Sequence, residues 1–314
     1  MKIPHPIPYQ GSKRNLAPRI LPYFPPGIRK LIEPFAGSAA ITLAAAEKQL
    51  AQAYVINDAN RPLIDLWREI IEHPERLAGK YERVWQQQHE HGDRIAWFNQ
   101  VRADFNRSRR PELFLFLLAR CVKAAVRYNA SGEFNQSADK RRHGTLPSNM
   151  REQLLGASSL LRRRTVCEHR DYREILRQAA PRDLVYMDPP YQGVSRKRDA
   201  RYLSGVDFAE FVEALTELNE RGISYIVSYD GRTGSKTYGP PLPPSLHLDL
   251  VELHAGRSSQ ATLLGRDDET VESLYLSPAL TARLASSPFT YATKQTEQLA
   301  LLEEPREKKK KRPA

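Results

Sequence analysis

Leu31-Ile32-Glu33-Pro34-Phe35-Ala36-Gly37-Ser38-Ala39-Ala40 reads as an apolar strand that runs into a turn of small residues and then into an alanine-rich helix. Small residues let backbone amides approach a ligand closely at a helix N-terminus, which suits a nucleotide or an amino-acid carboxylate. The stretch lacks the spacing of the dinucleotide fingerprint GxGxxG and of the phosphate loop GxxxxGK[ST], so neither NAD nor ATP is favoured. About twenty residues after the glycine, Ile56-Asn57-Asp58-Ala59-Asn60 places a carboxylate at the end of a second strand, where doubly wound sheets put the acid that accepts from ribose hydroxyls. Taken alone, Asp58 is nearly as well explained as a cap of the following helix. Turn and acid together favour an adenosine-containing cofactor.

Further strand signals follow at Thr165-Val166-Cys167, Leu184-Val185-Tyr186-Met187 and Ile223-Ser224-Tyr225-Ile226-Val227, each followed by polar or turn residues. Two alternating runs, Leu246 to Leu253 and Val271 to Leu276, look like a late antiparallel pair. Residues 62–165 read as almost entirely helical. Pro111 opens a helix expected to continue through ELFLFLLARCVKAAVRY and to carry Lys123 and Arg127 near its C-terminal end, with Phe114, Phe116, Leu117 and Val122 as core of the insertion. A later helix is expected to start near Ser148 and Asn149, with Glu152 completing a capping box. The expected fold is α/β: a Rossmann-like sheet built by residues 1–61 and 166–280, interrupted by a helical insertion at 62–165, with a C-terminal extension at 281–314. Any cofactor belongs at the C-terminal ends of the parallel strands.

The most informative stretch for chemistry is Asp183-Leu184-Val185-Tyr186-Met187, a strand that delivers Asp188-Pro189-Pro190-Tyr191 into a loop. This tetrapeptide arises by chance in a chain of this length with probability on the order of one in a thousand. An adenine amino group is a poor nucleophile because its lone pair is delocalised into the ring, and methylation leaves it transiently cationic. A carboxylate and a backbone carbonyl that accept its two hydrogens draw the nitrogen toward tetrahedral geometry and stabilise the developing charge. Asp188 and the carbonyl of Pro189 fit those roles, Pro190 helps to hold the loop extended, and Tyr191 offers a ring on which an extruded base can stack. An ordinary Pro-Pro loop is the competing explanation.

Composition narrows the setting. The 314 residues carry a net charge of +11, part of it concentrated in Arg107-Ser108-Arg109-Arg110, Lys140-Arg141-Arg142 and Arg162-Arg163-Arg164. An extended polyanion is the natural partner of such a surface, although a solvated basic face carries the same charge. The run Lys308 to Arg312 reads as a disordered tail. Cys121 and Cys167 have no CxxC or Cys/His spacing and are expected as buried reduced thiols, which suits an intracellular setting. His89-Glu90-His91 lies in a hydrophilic helical stretch without further ligands nearby, so no metal is expected. No window reaches the length of a membrane span and the N-terminus has no apolar signal-peptide centre, so a cytoplasmic protein is expected.

In motif order from about residue 8 to residue 278, the sequence resembles the DNA adenine methylases of the Dam type, the alpha (D12) class. Pro8-Tyr9-Gln10-Gly11-Ser12-Lys13 resembles the family's N-terminal KWxGGK element, Glu33-Pro34-Phe35-Ala36-Gly37 its EPFxG turn, and Arg127-Tyr128-Asn129-Ala130-Ser131-Gly132-Glu133-Phe134-Asn135 its RYNxxGEFN segment. The resemblance implies S-adenosylmethionine as cofactor, held by Tyr9, Lys13, Glu33, Pro34, Phe35, Gly37, Asp58, Asp171, Tyr172 and Asp188. It implies double-stranded DNA as partner, contacted by Arg127, Tyr128, Asn129, Asn135, Lys140, Arg141 and Arg142. Pro8 replaces a lysine that helps GATC-specific members read their target, Tyr9 replaces tryptophan, and Ala39 replaces the second glycine of the turn. The residues after Asn135 also leave the familiar VPxG pattern. A target other than GATC is therefore expected, in a restriction-modification or phage-related system, with a cognate restriction endonuclease as a candidate partner and a monomer as the expected state. Methylation of RNA adenine or of the cytosine N4 amine, and a silent DNA-binding protein on the same scaffold, stand as alternatives. The Asp at the head of the tetrapeptide argues against cytosine.

Overall fold

A computed structural model describes residues 3–190, 206–233, 236–237, 241–257 and 269–286. Among them, β1 (Ile28–Glu33), β2 (Ala51–Asn57), β3 (Thr165–Glu168), β4 (Leu184–Met187), β5 (Ser224–Thr233), β6 (Lys236–Thr237), β7 (Asp249–Arg257) and β8 (Glu269–Leu276) form one eight-stranded sheet. Its order is β3-β2-β1-β4-β5-β8-β7, with β6 paired to β5 off that path. The first five strands of that order run parallel, with Leu31 opposite Leu184 and Ile32 opposite Val185. The expected late antiparallel pair is present: β8 runs against β5, and β7 against β8. The chain moves from β1 outward through β2 to β3, then returns to lay β4 on the other side of β1. The switch point between β1 and β4 opens a crevice at the C-terminal strand ends. This is the Rossmann-like sheet expected from the sequence.

The α-helices among the described residues are α1 (Ala17–Ile20), α2 (Ala40–Glu47), α3 (Arg61–Glu72), α4 (Pro74–Glu90), α5 (Arg94–Ser108), α6 (Pro111–Arg120), α7 (Pro147–Leu161), α8 (Tyr172–Arg177), α9 (Phe208–Glu220) and α10 (Pro278–Ala285). Strand side chains alternate between two cores, as a period of two requires. Leu31, Tyr54, Ile56, Leu184, Tyr186 and Ile226 pack on one side, while Ile32, Val185, Met187, Tyr225 and Val227 pack with α8 and α9 on the other. All four residues of β4 are buried because both faces are covered. The first core continues without a break into α3–α7 through Trp67, Tyr81, Phe98, Phe105, Phe114 and Phe116. The helical segment thus shares its interior with the sheet.

Three local expectations need correction. The helix opened by Pro111 stops at Arg120: Cys121 is extended, pairs with Ala138, and is followed by left-handed Lys123 and Ala124. Tertiary pairing overrides helix propensity here, so Arg127 lies on extended chain. The later helix starts at Pro147, whose fixed φ suits the first helical position, and Leu146 at its cap makes no side-chain cap bond, so no capping box forms at Asn149. Cys121 is buried and its thiol is pushed up to about 12 by burial, whereas Cys167 is only half-buried because β3 is an edge strand.

Candidate active site

The switch-point crevice is built by loops that leave β1, β2 and β4. Ala36 donates its amide to the Asn57 carbonyl at 2.8 Å, folding the turn after β1 back across β2. Gly37 sits at φ +50°, and a Cβ there would lie 3.0 Å from Cε1 of the Tyr9 ring, so the turn requires glycine for both conformation and space. The side chain of Asn57 donates to the carbonyls of Pro34 (2.9 Å) and Arg170 (3.1 Å) and accepts from the Arg170 amide (2.9 Å), tying three loops together. Asp58 accepts from the Gly37 amide at 3.0 Å and from the Asn60 amide at 2.8 Å, so the acid both lines the crevice and shapes it. Trp67 donates its indole N–H to the Gly37 carbonyl at 3.0 Å.

These loops enclose a cavity of about 340 Å³. Its walls bring together Tyr9, Lys13, Glu33, Pro34, Phe35, Gly37, Asp58, Asp171, Tyr172 and Asp188, all ten residues expected to hold a cofactor. Pro189 and Pro190 line it as well; Tyr191 lies outside the described residues. Tyr172 stands against Phe35, with ring centroids 5.1 Å apart, and supplies an aromatic wall. Asp171 caps α8 by accepting from the Arg173 amide, and the Arg173 guanidinium holds its carboxyl below the usual range.

The acids in this cavity differ in character. Burial pushes Glu33 up to about 8; one of its oxygens accepts from the Thr42 amide at 3.1 Å and the other, buried, has no partner. Burial also raises Asp58. Asp188 is raised to about 6, first by burial and then by the nearby carboxylate of Glu272, against the opposing pull of Lys13. The Lys13 ammonium lies 3.1 Å from Oδ1 of Asp188 and 2.9 Å from Oε1 of Glu272. Ser228 at the end of the apolar part of β5 donates its hydroxyl to that same Glu272 oxygen at 2.6 Å. Nothing in the run Val271 to Leu276 marks Glu272 as special, because its partners come from the N-terminal segment and from β5. Asn57 and Asn60 flank the acid that the sequence marks, but their bonds to Pro34, Arg170 and Tyr128, and that of Trp67 to Gly37, come from the fold.

Of the stretch expected at DNA, Val126, next to Arg127, is part of the cavity wall. Tyr128 pairs with Phe134 across a tight turn, is buried, and donates its hydroxyl to Asn60 at 3.1 Å. Asn129 builds that turn: its Oδ1 accepts from the amides of Ser131 and Glu133, and its Nδ2 donates to the Glu133 carboxylate. Asn135 is exposed and its amide donates to the Arg127 carbonyl at 3.0 Å. Lys140, Arg141 and Arg142 are exposed on the next loop, which Asp139 shapes by accepting from the amides of Arg141 and Arg142. Beneath it Arg120, 2% exposed, donates to the carbonyls of Asp139 and Arg94. Among the described residues no group of three potential ligands could hold a metal, and no helix is long and apolar enough to cross a membrane.

The chain is 29% identical over 233 residues to the DNA N-6-adenine-methyltransferase of Escherichia phage P1, covering 71% of this chain and 29% of that protein. It is 31% identical over 194 residues to a DNA adenine methylase of Serratia marcescens, covering 60% of this chain and 67% of that protein. The Retron Ec67 DNA adenine methylase of Escherichia coli is 28% identical over 193 residues, 60% of this chain and 63% of that protein. The matched segment thus spans less than a third of the phage protein and about two thirds of the other two. Residues 9–252, a stretch that contains the cavity's motifs, match the D12 class N6 adenine-specific DNA methyltransferases, and the chain belongs to that family.

Proposed function

We propose that the chain transfers a methyl group from S-adenosylmethionine to the N6 amine of an adenine extruded from double-stranded DNA. The observation that carries this reading is Asp188, held at the tip of β4 by Lys13 on the wall of the crevice, with side-chain exposure of 23%. The carboxylate and the adjoining Pro189 carbonyl are acceptors for the two hydrogens of an amine, and they favour the cationic nitrogen that forms as it is alkylated. Pro189 and Pro190 carry no competing N–H. Tyr191 is assigned the stacking of the extruded base.

The cavity suits the cofactor on grounds of its own. A buried, unpartnered Glu33 oxygen matches a cationic or hydrogen-donating group, the Tyr172 ring matches a planar base, and Asp58 stands where an acid meets a ribose. Tyr9, Lys13, Pro34, Phe35, Gly37 and Asp171 complete the wall. When bound, S-adenosylmethionine supplies an electrophilic methyl group on a sulfonium, so that the chain's own residues need only orient the amine, exclude water and stabilise charge.

Residues 62–165 serve as the target-recognition part in this reading. Lys140, Arg141 and Arg142 hold phosphates, while Arg127, Tyr128, Asn129 and Asn135 define the edge facing the extruded base. Buried Tyr128 contributes by fixing the turn. Pro8, where the family resemblance implies a lysine in GATC-specific members, supports a different target, and a restriction-modification or phage-related setting goes with that reading.

Expression in a methylation-free host followed by long-read sequencing tests the proposal. N6-methyladenine at one motif is expected with the wild type, and a loss on the order of a thousandfold with Asp188→Ala, whose binding of S-adenosylhomocysteine and DNA stays largely intact. Unmethylated DNA from the wild type, or substantial turnover by Asp188→Ala, overturns it.

A further inference from the structure

Lys13 is shared. Its ammonium lies between two carboxylates, Asp188 at 3.1 Å and Glu272 at 2.9 Å, and the Glu272 side chain is only 10% exposed. A lysine paired with Asp188 alone would make a neutral couple and blunt the attraction of Asp188 for a nitrogen becoming cationic. With Glu272 present and both carboxylates ionised, the trio carries one net negative charge, and Lys13 is restrained from both sides. Ser228 fixes Glu272 in turn, by a 2.6 Å hydrogen bond from a fully buried hydroxyl. Burying a second carboxylate beside Asp188 is costly unless it is paired, and folding alone would be served by a neutral residue there.

We propose that Glu272 is a positioning residue of the methyl-transfer site, acting through Lys13 to hold the Asp188 carboxylate and to keep the cluster negatively charged toward the target amine. The proposal rests on the function assigned above. It joins a strand of the antiparallel hairpin, distant from every recognisable motif, to the chemistry at the tip of β4. Among the described residues, the groups that bear on Asp188 include Lys13 from the N-terminal segment, Glu272 from β8, Glu33 from β1 and Tyr186 from β4, with Ser228 of β5 behind Glu272.

The test compares the full chain with its Glu272→Gln, Glu272→Asp and Ser228→Ala variants. Glu272→Gln is expected to lower kcat about tenfold to a hundredfold, with KM for cofactor and DNA within about threefold. Removing the neighbouring carboxylate lets Asp188 ionise more readily, so the acid limb of the rate profile moves to lower pH. Glu272→Asp restores part of kcat, and Ser228→Ala moves both quantities the same way by less. Carboxyl-carbon NMR of Asp188, without cofactor or DNA, reads the same coupling directly: its titration midpoint falls in Glu272→Gln. An unchanged midpoint in folded Glu272→Gln overturns the inference, as does an unchanged kcat beside an active wild type. A shifted midpoint in a protein that methylates no adenine upholds the coupling and overturns the function instead.

Discussion

Asp188 offers negative charge to a nitrogen becoming cationic only while it is ionised, and its surroundings make that condition demanding. Burial raises it from 3.8 to about 6 even with Lys13 alongside. Because the raised value favours the protonated form, the single-turnover rate is expected to fall as pH drops through about 6 and to level off above it. A flat profile down to about pH 4, the ordinary carboxylate range, would refute a direct role for the ionised group. Gly37 tests the neighbouring turn. Alanine there incurs about 1–2 kcal/mol for left-handed backbone and drives its methyl toward the Tyr9 ring. Gly37→Ala should lower the thermal midpoint and weaken S-adenosylhomocysteine binding in a calorimetric titration; an undisturbed binding constant would separate Tyr9 from the cofactor. Asp188, Gly37 and Tyr9 could be read from local motifs because their signatures are contiguous. Glu272 could not, since its meaning comes from Lys13, which lies near the opposite end of the described chain.

The turn between Tyr128 and Phe134 shows how a short element acquires its shape. Asn129 accepts from two backbone amides and donates to Glu133, while Tyr128 ties the turn to the loop after β2. Removing the Asn129 side chain costs about 1 kcal/mol of local stability. In Asn129→Ala, amide exchange at Ser131 and Glu133 is expected to speed up about fivefold, with DNA affinity reduced and cofactor affinity held. Unaltered exchange would show that the turn stands without this residue. The RYNxxGEFN string was legible, but its local fold was not: the sequence predicts a helix that carries Arg127, whereas α6 ends at Arg120 and Arg127 lies on extended chain. Extended pairing of Cys121 with Ala138 and of Tyr128 with Phe134 accounts for the difference. Five parallel strands were easier to read, because each is a short apolar run ended by turn residues.

Across the molecule, the continuous core from Leu31 through Trp67 to Phe116 fixes the helical segment to the sheet. The basic loop at 140–142 is thereby carried at a set place relative to the cavity. Its three exposed cations should release counterions on binding a duplex. Replacing Lys140, Arg141 and Arg142 together with Gln is expected to reduce the slope of log affinity against log salt by about 2 to 3. Filter binding or fluorescence anisotropy over a salt series reads this directly, and an unchanged slope would place the duplex elsewhere on the +11 chain.

Local order in the chain was sufficient for the parallel strands, the turn from Glu33 to Gly37, the acid at Asp58 and the Asp188-Pro189-Pro190 loop. Each depends on residues adjacent in sequence, where strand periodicity and backbone sterics act over a few positions. The strand order, and with it the meeting of ten motif residues on one cavity, required the packed sheet. So did the end of α6 at Arg120, the inward turn of Tyr128 and the sharing of Lys13 between Asp188 and Glu272. Buried charge and orphaned hydrogen bonds must find partners wherever folding brings them, and those partners are separated along the chain by distances that no local pattern spans.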